Sequence, residues 1–223
     1  MVAQLAHPAT SYRLILASRS PRRRELLAEV GVDAEAIDPG LDDGELEPGR
    51  VSPTAWVASL AYLKARSGLE TRVWAEPVVV LGADTVCVAS GPDGGPDGEG
   101  DGAELLGQPA NEAEARRMLR ALAGTSHEVL TGVALVASHG ASRDVFVDRS
   151  VVRMPALEAG ELDRYIASGQ WRGKAGGYNI ADRLKAGWAI EFQGDATSIM
   201  GLPMRALTPR LEAMAIARGG RRR

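Results

Sequence analysis

The sequence predicts an α/β protein built on a mixed, twisted sheet flanked by helices. Three observations carry that expectation. Strand-like and helix-like segments alternate along the chain; the run Pro77-Val-Val-Val-Leu-Gly-Ala-Asp-Thr-Val-Cys-Val-Ala89 is apolar almost throughout; and a strong helix-start signal follows directly on the first strand pattern.

In chain order, Arg13-Leu14-Ile15-Leu16-Ala17 reads as a buried strand. A short Ser-rich turn follows, with Ser20 as helix N-cap and Pro21 at the first helical position. Ser52-Pro53 opens a second helix, running to about Arg66. After the long strand, Asn111 caps a helix that Gly124 closes. Strand patterns follow at His127–Ala137 and Asp144–Met154, then a helix from about Leu157 to Ser168. A Gly-rich stretch at Gly173–Gly177 precedes a final helix after Pro203. The expected organisation is one domain over residues 12–217 between a flexible tail, 1–11, and a basic tail, 218–223. Within it, the Gly/Asp-rich segment 90–103 has few side chains with which to build a core and reads as a mobile loop.

Composition narrows the class. A chain of 223 residues can bury a good core, and 45% apolar with 25% charged residues is ordinary for a globular protein; mean hydropathy is −0.11. No apolar run reaches the roughly 18 residues of a membrane span. The start MVAQLAHPATSYR lacks the charged-then-apolar order of a signal peptide, so a cytoplasmic protein with no membrane partner is expected. One cysteine, Cys87, allows neither an internal disulfide nor a cysteine metal cluster. A net charge of −3 and a pI near 5.7 argue against a nucleic-acid surface.

Four polar features interrupt otherwise apolar patterns. Arg22, Arg23 and Arg24 stand in the first turn of a helix, beside unpaired amides and the positive pole of the macrodipole. Each charge costs about 0.3–1 kcal/mol there unless an anion answers it. Arg22 and Arg23 lie one turn before Leu26 and Leu27, on the stripe that faces the sheet. With Ser18 and Ser20 nearby, this strand–turn–helix is a ready polyphosphate cradle, although a solvated charged face is the other reading. Asp84 interrupts an apolar strand, where a carboxylate needs a counter-charge or a metal, unless it merely serves a local turn beside Gly82. Lys64 falls on or beside the apolar stripe of the second helix, where a lysine can also snorkel to water. The patch Asp42-Asp43-Gly44-Glu45 suits either a solvated loop or metal and water handling. An anion cradle, a lysine and a buried carboxylate together suit hydrolysis on a phosphate chain. Gly169-Gln-Trp-Arg-Gly-Lys-Ala-Gly176 is not a P-loop: it is one residue short, and Ala175 stands where Ser or Thr would bind magnesium.

Four segments together resemble the signatures of the Maf family of nucleoside triphosphate pyrophosphatases. They are Leu16-Ala-Ser-Arg-Ser-Pro-Arg-Arg-Arg-Glu-Leu-Leu27, Leu81-Gly-Ala-Asp-Thr85, Lys174-Ala-Gly-Gly-Tyr-Asn-Ile180 and Ser198-Ile-Met-Gly-Leu-Pro203, in the family's order. The resemblance implies two lobes around a deep cleft, often as a homodimer. It also implies hydrolysis of a nucleoside triphosphate to the monophosphate and diphosphate with a divalent cation, Mg2+ or Mn2+, clearing non-standard nucleotides; a nucleotide-sensing regulator of cell division is the alternative. Carried over by motif, Ser18, Arg22 and Arg23 hold the triphosphate, Lys64 neutralises developing charge, and Asp84 is the catalytic carboxylate and metal ligand. Asp43 stands where the family commonly has a metal-binding glutamate one methylene longer. The dTTP/UTP members pair the arginine at Arg22 with a lysine and a glutamine, whose positions here are Gln108 and Ala181. The tryptophan of the 7-methyl-GTP members is absent. Loss of that pattern, with Asp182 next to Ala181 able to accept from a base such as guanine, predicts broad or shifted base use.

Deleting Gly91–Gly102 and rejoining the ends is expected to leave folding and any nucleotide hydrolysis close to those of the full chain. A collapse of hydrolysis in the shortened protein, with its circular dichroism unchanged, would make the segment a lid.

Overall fold

The computed structural model describes residues 12–41, 46, 49–89, 103–139, 142–214 and 216. The segment 91–102, the two tails and the acidic patch Asp42–Glu45 with its metal candidate Asp43 lie outside the described residues.

Strands β1 (Arg13–Ala17), β2 (Glu35–Ile37), β3 (Val78–Ala89), β4 (Glu104–Leu106), β5 (Ser126–Ala137), β6 (Arg143–Arg153) and β7 (Glu191–Gln193) form one open sheet. Its order is β2-β1-β3-β5-β6-β7, with β4 paired to β3. β1 is parallel to β2 and β3, and the remaining pairings are antiparallel, so the sheet is mixed as expected. Helices α1 (Pro21–Glu29), α2 (Pro53–Glu70), α3 (Glu112–Leu122), α4 (Ala159–Ala167), α5 (Ile180–Lys185), α6 (Ala196–Ile199) and α7 (Met204–Ala213) flank it. Among the described residues none is long and apolar enough to cross a membrane.

The signals at the element ends act as their chemistry dictates. Ser52 and Asn111 accept from the Ala55 and Glu114 amides, closing the first turns of α2 and α3. α2 runs one turn beyond Arg66 because nothing in Ser67–Glu70 breaks it and Gly68 packs flat against Ala17. The short elements β2, β4, β7, α5 and α6 carry no sequence period long enough to announce them; neighbouring strands or side-chain caps hold them in place.

β3 organises the molecule. Along one edge β1 pairs with Val78–Gly82 and β4 with Cys87–Ala89. Between them, residues 83–86 have no strand partner on that edge among the described residues, so the edge is split. The core divides accordingly. One cluster gathers Leu14, Leu16, Leu26, Leu81 and Leu207 around the β1 half; the other gathers Leu106, Leu119, Met154, Tyr165 and Trp188 around the β4 half. The alternation of the strand sends Val78, Val80, Val86 and Val88 against α2.

α2 crosses the sheet at two glycines. A Cβ on Gly82 would lie 2.2 Å from the Ala61 carbonyl oxygen, and one on Gly132 2.3 Å from that of Val57. The helix backbone therefore rests on the strands with no side chain between. Gly82→Ala is expected to lower stability by about 1–3 kcal/mol, because neither backbone can yield. Urea denaturation checks this, and an unchanged midpoint would mean that α2 is not seated as described.

In the second core cluster His127 Nε2 lies 2.8 Å from Tyr178 Oη, and burial pushes the His127 pKa down from 6.5 to about 4. A folded value below the unfolded one means the unfolded chain binds the extra proton between these limits. That contribution to stability is complete above pH 6.5 and lost progressively as pH falls towards 4. His127→Gln, which does not titrate, is expected to flatten this part of the pH dependence of the urea midpoint; equal slopes would contradict it.

Candidate active site

The gap in the β3 edge opens into a cleft of about 540 Å³ between the two halves of the core. Ser18, Arg22, Arg23, Lys64, Asp84, Gln108 and Asp182 all line it, although they are scattered over more than 160 positions of sequence. Only Asp43, outside the described residues, is not placed.

The first wall is the β1–α1 turn. Ser20 occupies the N-cap position, but its hydroxyl makes no capping bond. Ser18 Oγ instead accepts from the Ser20 amide at 3.2 Å, since the chain has already turned back on itself there. Ser18 is buried, its amide bonded to the carbonyls of Leu16 and Ile37. The start of α1 thus faces the cleft with the polarity that suits an anion.

Arg22 and Arg23 take different routes. Arg23 turns into the protein, where Nε donates to the Gly201 carbonyl at 2.9 Å and Nη1 to the Ala83 carbonyl at 2.8 Å and Ser18 Oγ at 3.2 Å. The Ala83 carbonyl belongs to the unpaired stretch of β3, so the arginine fills a vacancy in the ladder. Nη2 reaches Thr85 Oγ1 at 3.4 Å. Thr131 donates to the Ser198 carbonyl at 2.9 Å and so accepts from Thr85, also at 2.9 Å. One directed chain of hydrogen bonds therefore joins α1, β3, β5 and the end of α6. Arg22 stays in the cleft, its Nη2 3.5 Å from Asp182 Oδ1 on the far wall.

At the foot of the cleft Lys64 Nζ donates to Asp84 Oδ1 at 2.6 Å, with both residues buried. The α2 seat on Gly82 and Gly132 sets this distance. Of the two readings of Asp84, the counter-charge is the one realised, and Lys64 points inward rather than to water. Cys87 also lines the cleft, but burial pushes its thiol up to about 12, so at neutral pH it is no nucleophile. Among the described residues no group of three or more His, Cys, Asp or Glu could hold a metal ion.

The opposite wall is the Lys174–Tyr178 turn and α5. Gly176 has φ 63°, and a Cβ there would meet Cys87 Sγ at 2.7 Å, so only glycine fits. Its amide donates to the Gly107 carbonyl at 3.0 Å, which seats the turn beside Gln108. Asn179 Oδ1 caps α5 through the Asp182 amide at 3.0 Å. The Arg183 guanidinium stacks 4.4 Å from the Tyr165 ring centre and 5.3 Å from that of Trp188, fixing α5 from behind.

Lys174 is the residue that sequence reasoning left without a role. Its Nζ lies 3.5 Å from Asp182 Oδ2 and also bonds the Gln170 carbonyl. A lysine two residues before the Gly176-Gly177 pair was the available signal, but only α5 shows what it faces.

Residues 13–214 match the family described as Maf-like protein. The dTTP/UTP pyrophosphatase of Alkalilimnicola ehrlichii is 41% identical over 196 residues, 86% of this chain and 87% of that protein. Proteins of the same name from Symbiobacterium thermophilum and Nitrosospira multiformis are 40% identical over 192 residues and 38% over 213. They cover 86% and 92% of this chain, and 89% and 95% of their own lengths. The match runs from the first strand to the last helix and contains every residue that lines the cleft, and the chain therefore belongs to the Maf-like protein family.

Proposed function

We propose that this Maf-like pyrophosphatase hydrolyses a nucleoside triphosphate between its α and β phosphorus atoms, releasing the monophosphate and diphosphate. The observation that carries the reading is the buried Lys64–Asp84 pair at the foot of a cleft walled by a helix N-terminus and arginine. Ser18 and the first turn of α1 receive phosphate oxygens, and Lys64 meets the negative charge that builds on the bond being broken. Asp84 keeps one carboxylate oxygen on Lys64 and uses the other to orient water and accept its proton.

A divalent cation fits the donors present. Mg2+ is usually bound by one or two carboxylates with substrate phosphates completing its shell, and Asp84 is a single carboxylate facing the phosphate end. Asp43 is the proposed second ligand. When bound, Mg2+ or Mn2+ supplies further positive charge against the triphosphate. A sensor using the same cleft needs its cationic wall but not a buried ion pair, whose desolvation is costly; the enzyme is therefore the preferred reading. The relatives are named for dTTP and UTP, and we carry that preference to this chain in place of the broader base use expected from Gln108 and Ala181.

Incubation with UTP and Mg2+, measuring monophosphate and diphosphate separately, is expected to give the two in equal amounts. Asp84→Asn is expected to lower kcat about 10²-fold or more while retaining affinity for the α,β-methylene analogue of UTP, because the amide keeps the shape but not the basicity. Turnover close to that of the unaltered protein would overturn the assignment of Asp84.

A further inference from the structure

We infer that Arg22, Asp182 and Lys174 together form a donor–acceptor–donor array that selects uracil and thymine, taking over the base reading from the positions of Gln108 and Ala181. The inference rests on the hydrolytic reading only for which end of the nucleotide lies where. With the triphosphate at Ser18, Lys64 and Asp84, the base falls towards the Lys174 turn and α5.

The carboxylate of Asp182 lies between two cations on different elements: Oδ1 is 3.5 Å from Arg22 Nη2, and Oδ2 is 3.5 Å from Lys174 Nζ. These spacings are at the long limit for hydrogen bonds, so the charges hold one another in place without short contacts. All three side chains are about one-quarter to one-third exposed, on the cleft wall. Arginine and lysine can only donate, and an ionised aspartate can only accept. Read across the cleft, the order is donor, acceptor, donor.

The pairing edge of uracil or thymine is the complement: O4 accepts, N3–H donates and O2 accepts. Cytosine carries a lone pair at N3, which would face the Asp182 carboxylate, and adenine presents the same conflict at N1. Guanine offers a donor to Asp182 at N1, as expected for that residue alone. Its exocyclic amino group, however, would then face Lys174, which has no acceptor. Lys174 thus converts a carboxylate that alone would suit guanine into one element of a uracil-specific array. Xanthine has the same acceptor–donor–acceptor order as uracil, so the edge by itself does not reject it. A mismatched base would cover these charged groups, which water reaches in the open cleft, and set donor against donor or lone pair against carboxylate, which is how hydrogen-bonding sites reject analogues strongly.

The test measures kcat/KM for UTP, dTTP, CTP, ATP, GTP and XTP on the full chain with Mg2+. Dissociation constants of the α,β-methylene analogues of UTP and CTP are measured in parallel. UTP and dTTP are expected to exceed CTP, ATP and GTP by about 10²-fold or more, with XTP the best of the purines. Asp182→Asn, in which the amide can turn its NH2 towards cytosine N3, is expected to cut the UTP-over-CTP ratio at least tenfold in turnover and in binding. Lys174→Met is expected to weaken UTP about tenfold and to raise GTP relative to it. Equal affinity of the unaltered protein for the two analogues, or an unchanged ratio in Asp182→Asn, would overturn the inference. Loss of diphosphate release from every nucleotide, with the binding ratio still favouring uracil and still abolished by Asp182→Asn, would overturn the hydrolytic reading and leave this one standing.

Discussion

The contact on which the rest depends is that of a helix backbone against the middle of a sheet. α2 rests on Gly82 of β3 and Gly132 of β5 so closely that no Cβ fits at either position. Two strands and a helix are thereby locked in one relative position at the point where β3 passes from one half of the core to the other. Lys64 and Asp84 meet at 2.6 Å because their backbones cannot drift apart. A buried ion pair is tolerable only at such a distance, since the attraction must offset the loss of hydration of both groups.

The split edge of β3 follows from the same strand. A strand of twelve residues is too long for β1 alone, and β4 takes up its far end, leaving a bare stretch between. Unpaired backbone in a protein interior needs other partners. Arg23 supplies one at Ala83, and the Thr85–Thr131–Ser198 relay continues the polar seam across the sheet to α6. The seam links three of the four sequence signatures, so their association in one chain has a structural cause. It also separates adjacent arginines: Arg23 ties the wall together through the Gly201 and Ala83 carbonyls, and Arg22 lies along the open cleft beside Asp182.

The far wall is mounted differently. α5 has six residues, too few to be stable alone, and owes its place to tertiary contacts. The Arg183 stack on Tyr165 and Trp188 fixes it from one side, and Tyr165 Oη donates to the Gly177 carbonyl at 2.9 Å to hold the preceding turn. Asp182 and Lys174 therefore sit on a braced support, although both belong to short, irregular pieces of chain.

Long elements with regular apolar periods and explicit caps were legible without coordinates: β1, α1, α2, β3, α3, β5, β6, α4 and α7 all fall near their expected bounds. So were the residues whose polarity conflicts with their pattern, because a charge in an apolar strand or at the wrong helix end requires a partner wherever the chain goes. Arg22, Arg23, Lys64 and Asp84 stand out by that conflict and Ser18 by its place in the turn before α1, whereas the roles expected of them come from the resemblance to the Maf family. What only the tertiary structure decided is which of those charges meet. The Lys64–Asp84 bond, the inward turn of Arg23 and the placing of Asp182 between Arg22 and Lys174 depend on how helices and strands distant in sequence are stacked. A sequence period reports the face a residue lies on, but not the residue opposite it; that is set by backbone distances such as the approach at Gly82, which no local pattern encodes.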